Sequence, residues 1–187
     1  GVQVHGGMGF IEETGAAQHL RDARISAIYE GTTGIQANDL IGRKMAREGG
    51  ATLKVVIGMM RALDADLAKQ DGEHFVAIRA RFTAAVNAVE KAGDWLVKTY
   101  ASDVRSAAAG AVPFLRLLGV VAGGWQMARA ALVAQAKIAG GDADPFYVAK
   151  IGTARFYADH LLSQAEGLAS SVTDGAAGVM ALADEMF

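Results

Sequence analysis

Glu30 is the residue of this chain best placed to do chemistry. It stands in Ile28-Tyr29-Glu30-Gly31-Thr32-Thr33-Gly34-Ile35-Gln36, where a carboxylate is followed at once by a glycine and two hydroxyls. A helix from about Gly15 to Tyr29, with Thr14 as its cap and Leu20, Ala23, Ala27 and Ile28 on its inner side, would stop at Gly31. Glycine enters the left-handed conformation there without a Cβ clash. A carboxylate just before that stop meets the negative end of the helix dipole, and any burial adds a desolvation cost. Both effects raise its pKa, the direction a general base working near neutral pH needs. On position alone, however, the commoner reading is a solvated glutamate ahead of an ordinary helix stop.

Downstream, Thr32 or Thr33 caps a second helix running to about Arg47, with Ile35, Leu40, Ile41 and Met45 inward. The amides at its start suit an anion. Upstream, Gly6, Gly7 and Gly9 crowd the segment from Gly1 to Glu13. Bare backbone there can approach a phosphate, although a simple turn is the commoner use of such glycines. The spacing is not G-x-G-x-x-G and no strand precedes it. The four histidines, His5, His19, His74 and His160, lack the H-x-x-x-H and H-E-x-x-H spacings, so no metal site is expected. No nucleophile elbow or P-loop is present. Glu30 has no rival.

Three linked motifs change the weight of that glutamate. Gln3-Val4-His5-Gly6-Gly7-Met8-Gly9-Phe10, then Arg21-Asp22-Ala23-Arg24-Ile25, then Tyr29-Glu30-Gly31-Thr32 with Ile35-Gln36, resemble the C-terminal signature of the flavin-dependent acyl-CoA dehydrogenases. Within them the chain is similar to members carrying an added C-terminal helical domain, the 3-methylmercaptopropionyl-CoA dehydrogenase-like subgroup. The motifs cover about Gly1 to Glu48. The resemblance implies the C-terminal part of a larger enzyme that dehydrogenates an acyl-CoA thioester at the α,β bond and passes electrons to a separate acceptor. The carboxylate matching Glu30 would remove the α-proton while the β-hydrogen leaves as hydride to FAD. The family's oxyanion site, made by the base's own backbone N–H and a flavin ribityl hydroxyl, would stabilise the developing enolate. Tyr29 and Gly31 would line the substrate path. The positions matching Gln3, Val4, His5, Gly6 and Gly7 contact the FAD of a neighbouring subunit, and those matching Thr32, Thr33 and Gly34 touch its diphosphate-adenosine portion. Many relatives carry a longer polar residue at Gly34, so only its backbone can contribute. Arg21, Asp22 and Arg24 read as a surface ion-pair ladder. With the flavin-holding domains absent, a fragment of this kind would be inactive alone.

The remaining elements are helical. Glu48-Gly49-Gly50-Ala51 marks a boundary between residues 1–48 and a helical extension, 49–187. Beyond it the fold class is all-α, an antiparallel helical bundle. Leu53, Val56, Ile57, Met60, Leu63 and Leu67 recur at helical spacing, and Asp71-Gly72 turns the chain. Phe75, Ile78, Phe82, Val86, Val89, Gly93 and Leu96 mark a long helix ending near Tyr100 to Ser102. Asp103 caps a third, strongly apolar helix to about Ala139, which Pro113 would kink or split. Gly119 and Gly123 share one face of it. A helix apolar on most sides belongs in the middle of a bundle or at a subunit contact. Asp144-Pro145 opens a fourth helix through Ile151, Ala154, Tyr157, Leu161 and Leu168, and Thr173-Asp174 a short last one. An interaction or oligomerisation module without catalysis is the alternative role for this extension, as part of a homo-oligomer.

Composition narrows the partners. Eighteen Lys+Arg against twenty Asp+Glu give a net charge of −2 with no basic block, which argues against nucleic acid. The chain has no cysteine, which excludes disulfides and fits the cytoplasm. No basic start followed by an apolar core marks a signal peptide. The uncharged run Leu117 to Ala128 is short for a bilayer of roughly 30 Å, so no membrane insertion is expected.

Overall fold

The computed structural model describes residues 1–29 and 31–186, the side chain of Asp184 excepted. Among these residues there is no strand; the chain is a succession of α-helices joined by turns and short 3₁₀ segments. It divides into two compact units, Gly1–Gln36 and Ala37–Phe187.

The first unit contains α1 (Gly7–Phe10), a 3₁₀ turn (Glu12–Thr14), α2 (Ala16–Tyr29) and the opening of α3 (Thr33–Arg43). Thr14 does not cap α2 as expected. The 3₁₀ turn closes through Gly15 N–H to the Glu12 carbonyl, with Gly15 left-handed at φ 76°. The Thr14 hydroxyl is drawn back instead, donating to the Met8 carbonyl at 2.7 Å. Leu20, Ala23, Ala27 and Ile28, read as inner positions, are all exposed, and Ala17 is the one residue of α2 that is buried. Thirty-six residues supply too little apolar surface to cover such a helix.

In the second unit, Ala37 and Ile41 of α3 are buried, as is Met45. Ile35, read as inward, is exposed. The helix stops at Arg43, and a 3₁₀ turn (Ala46–Glu48) leads to Gly49 and Gly50, both left-handed. The Glu48 carboxylate then accepts the Thr52 N–H at 3.1 Å at the start of α4 (Ala51–Ala62). After α5 (Asp64–Leu67) and the turn at Gly72, α6 (Glu73–Ser102) buries all seven apolar-face residues that its periodicity marks.

Asp103 caps the next helix by accepting the Ser106 N–H, but that helix is two: α7 (Val104–Ala109) and α8 (Ala111–Ala139). The break falls at Gly110, where a Cβ would press on the Val172 carbonyl oxygen at 3.0 Å. Pro113 instead sits in the first turn of α8, where its missing N–H costs nothing. Asp144 caps α9 (Pro145–His160) by accepting the Phe146 N–H at 2.9 Å. The expected continuation to Leu168 is broken by a 3₁₀ turn (Leu162–Gln164) before α10 (Ala165–Asp174). That bend lets buried Leu162 fill the space over Gly124. Thr173 and Asp174 therefore end a helix, and the short last one is α11 (Ala176–Val179).

α6, α8 and the α9–α10 pair pack on one another, α4 lies against α6, and the short connections make consecutive long helices antiparallel neighbours. Phe82, Phe114, Met60, Leu96 and Val121 are among the fully buried side chains. Gly123 lets the Tyr157 hydroxyl reach the Val120 carbonyl at 3.0 Å, whereas Gly119 borders open space. Close approach thus falls at Gly123 and its neighbour Gly124, and not at Gly119. By length and composition α8 is apolar enough to cross a bilayer, a test that the core helix of a bundle also passes.

Candidate functional site

The segment that bears Gln3 to Gly7 is a tight backbone turn. His5 N–H donates to the Gly1 carbonyl at 3.1 Å, Gly6 N–H to Gln3 at 3.2 Å, and Gly9 N–H to Gly6 at 3.0 Å. Gly6 takes a positive φ of 60°, a conformation that a side chain would strain. Gln3, Val4, His5, Gly6 and Gly7 are all exposed, and no heavy atom lies within 4 Å of where a Cβ would stand on Gly6 or Gly7. Their backbone is open to a ligand.

The second set stands where one helix gives way to the next. α2 ends at Tyr29, whose side chain is exposed. Glu30 lies outside the described residues. Gly31 is exposed, and a Cβ built there would meet the Gln36 and Ile35 side chains at ordinary contact distance. Thr32 is the cap of α3: its hydroxyl accepts the Ile35 N–H at 3.2 Å and its carbonyl the Gln36 N–H at 3.1 Å. Thr33 is exposed as the first helical residue, and half-buried Gly34 has open space where a side chain would project. Among the described residues no hydrogen bond joins Gln3–Gly7 to Thr32–Gly34, so each set is held by its own local frame.

The FAD that the sequence resemblance implies is compatible with this geometry. Gly6, Gly7 and Gly34 expose backbone that a side chain would otherwise screen, and the Thr32 cap orients the first turn of an eleven-residue helix. Arg21 pairs with Glu12 at 3.2 Å on the surface, a partner outside the Arg21, Asp22 and Arg24 ladder read from the sequence. Sequence reasoning missed two supports of the upper turn. Gly9 is buried against Val2, and Thr14 ties down Met8. Gly9 was visible only as another glycine, and Thr14 only as a cap.

The second unit offers grooves rather than a reactive cluster. One of about 580 Å³ runs along α6 past Asp64, Arg79, Thr83 and Asn87. Its charges are already paired. Arg79 grips both oxygens of Asp64 at 2.7 and 2.8 Å, which holds that carboxyl below its ordinary pKa, and Arg61 donates to Asn87 and Glu90. Burial pushes the Tyr157 phenol upward. Among the described residues no three His, Asp or Glu side chains form a metal site.

Comparison with known proteins matches residues 1–45 to the model "Acyl-CoA dehydrogenase, C-terminal domain" and residues 54–183 to "Acetyl-CoA dehydrogenase C-terminal like". The chain is 49% identical over 175 residues to the 3-methylmercaptopropionyl-CoA dehydrogenase of Ruegeria pomeroyi, covering 93% of this chain and 29% of that protein. It is 33% identical over 168 residues to a broad-specificity linear acyl-CoA dehydrogenase of Mycobacterium tuberculosis, covering 86% and 28%. Human mitochondrial short-chain specific acyl-CoA dehydrogenase is 57% identical over 35 residues, 19% of this chain and 8% of that protein. The chain spans less than a third of the length of these relatives.

Proposed function

The chain belongs to the acyl-CoA dehydrogenase family, and from that premise we propose that it is the C-terminal part of an FAD-dependent enzyme that oxidises an acyl-CoA thioester at its α,β bond. Glu30 is the base that takes the α-proton, and Tyr29 and Gly31 line the path of the acyl group. Gln3, Val4, His5, Gly6 and Gly7 hold the FAD of a neighbouring subunit, while Thr32, Thr33 and Gly34 hold the diphosphate-adenosine portion through hydroxyl and backbone groups. The bound flavin supplies the acceptor for the β-hydrogen. This chain's own work is to position a carboxylate, to raise its affinity for a proton through the helix end and burial, and to keep the substrate against it.

The observation that supports this reading most is a coincidence of motif and break. The stretch that matches the family carries one helix to Tyr29 and starts the next through a Thr32 cap, and in the sequence the motif's glutamate stands between those two residues. Residues 49–187, which share a core with Ala37, Ile41 and Met45, are a helical extension that serves assembly of a homo-oligomer. The setting is cytoplasmic, the electrons pass to a separate acceptor, and neither nucleic acid nor membrane insertion is involved.

The test uses the full-length protein. Glu30→Gln should keep its flavin absorption band and lose dehydrogenation of acyl-CoA; retained turnover would remove Glu30 from the role. The 187-residue chain purified alone should be colourless and inactive, and a stoichiometric flavin band in it would contradict the need for further domains.

A further inference from the structure

The turn that presents Gln3 to Gly7 is not held by those five residues. Gly9 is buried, and the Cβ of any other residue there would run into the Val2 carbonyl oxygen and stand 2.9 Å from the Val2 Cα. Only hydrogen fits, so the backbone at residue 9 seats directly on the backbone at residue 2 and folds the intervening chain into a loop. From the other side, the Thr14 hydroxyl donates to the Met8 carbonyl at 2.7 Å, beside a longer contact to the Ile11 carbonyl at 3.4 Å. Thr14 itself is fixed by the 3₁₀ turn that Gly15 closes at φ 76°. The loop is therefore clamped at Met8 and Gly9, adjacent residues of α1, while Gln3, Val4, His5, Gly6 and Gly7 stay exposed.

We propose that Gly9 and Thr14 are positioning residues that pre-form the Gln3–Gly7 turn for the flavin, so that cofactor binding does not have to order it. This rests on the reading of Gln3–Gly7 as an FAD contact. Neither residue reaches the cofactor; each acts through backbone. A clamp that sets the shape of the turn before the ligand arrives lowers the ordering cost at binding, and its loss appears in affinity.

The experiment is a flavin titration of the full-length apoprotein, followed by fluorescence quenching, with melting of the apoprotein measured in parallel. Thr14→Val, close in shape but without the hydroxyl, should raise the FAD dissociation constant about five-fold, as expected for loss of one hydrogen bond. Gly9→Ala, which forces the two backbone segments apart, should raise it about ten-fold or more. Thr14→Ser keeps the donor and should stay within about two-fold of the parent value. Apoprotein melting should be unchanged in Thr14→Val and Thr14→Ser. Parent-like FAD affinity in both Thr14→Val and Gly9→Ala would overturn the inference, as would a loss of affinity in Thr14→Val matched by a fall in its apoprotein melting, because that marks a general stability role. If the unaltered full-length protein binds no FAD, the reading of Gln3–Gly7 itself fails, an outcome distinct from either.

Discussion

α2 and α6 show how differently the two units are built. α2 buries one of its fourteen residues and α6 ten of its thirty. Every motif residue assigned a chemical role lies in the first unit or at its edge, and the described ones are surface groups except half-buried Gly34. The second unit carries the core: its buried side chains pack on one another, and its charges pair off along the outside. The unit that carries the proposed site residues is shaped by turns, caps and glycine contacts, whereas the other is shaped by apolar packing. Substitutions should therefore separate activity from stability according to the unit they fall in.

The largest effect tests the first side of that contrast. In the full-length protein Glu30→Gln should lower the dehydrogenation rate about 10³-fold, with an unchanged unfolding midpoint in urea. A fall in stability comparable to the fall in rate would blur the contrast. The converse substitution, Phe114→Ala, empties a site that is fully buried and should cost about 3–5 kcal/mol by chemical denaturation. Phe10→Ala in the first unit, where the ring is exposed, should stay within about 0.5 kcal/mol.

A smaller effect sharpens the contrast inside a single helix. Gly124→Ala drives a methyl group into Leu162 and should destabilise by about 1–3 kcal/mol. Gly119→Ala enters open space and should gain up to about 1 kcal/mol from helix propensity. Equal melting shifts of the same sign for the two would show that α8 is not packed as described. The smallest effect concerns surface charge. Asp64→Asn removes the grip of Arg79 and should cost no more than about 1 kcal/mol, since both side chains are well exposed. The Arg79 and Ser106 hydrogen bonds hold the Asp64 and Asp103 carboxyls below their ordinary value of 3.8. A pKa depressed on folding contributes stability that is complete above pH 3.8 and is lost as pH falls through the lower folded value. A shallower fall in stability below pH 4 in Asp64→Asn than in the parent protein is the expected readout, the remaining fall coming from Asp103.

Much of this fold was legible in the residues themselves. The apolar spacing from Phe75 to Leu96, the caps at Asp103 and Asp144, and the turn at Gly72 all follow from local rules, because helix period, cap chemistry and left-handed glycine need only a few neighbouring residues. The motif around Glu30 was readable in the same way, as a string of residue types in a fixed order. What sequence could not determine was who would fill a given space. The break at Gly110 answers to Val172, sixty-two residues on, and the bend after His160 accommodates Leu162 over Gly124. Thr14 serves Met8 rather than α2, and Leu20 and Ile28 have the spacing of buried residues but stand in solvent. Periodicity is a property of one segment, but burial and close approach belong to pairs of segments, so only the assembled chain decides them.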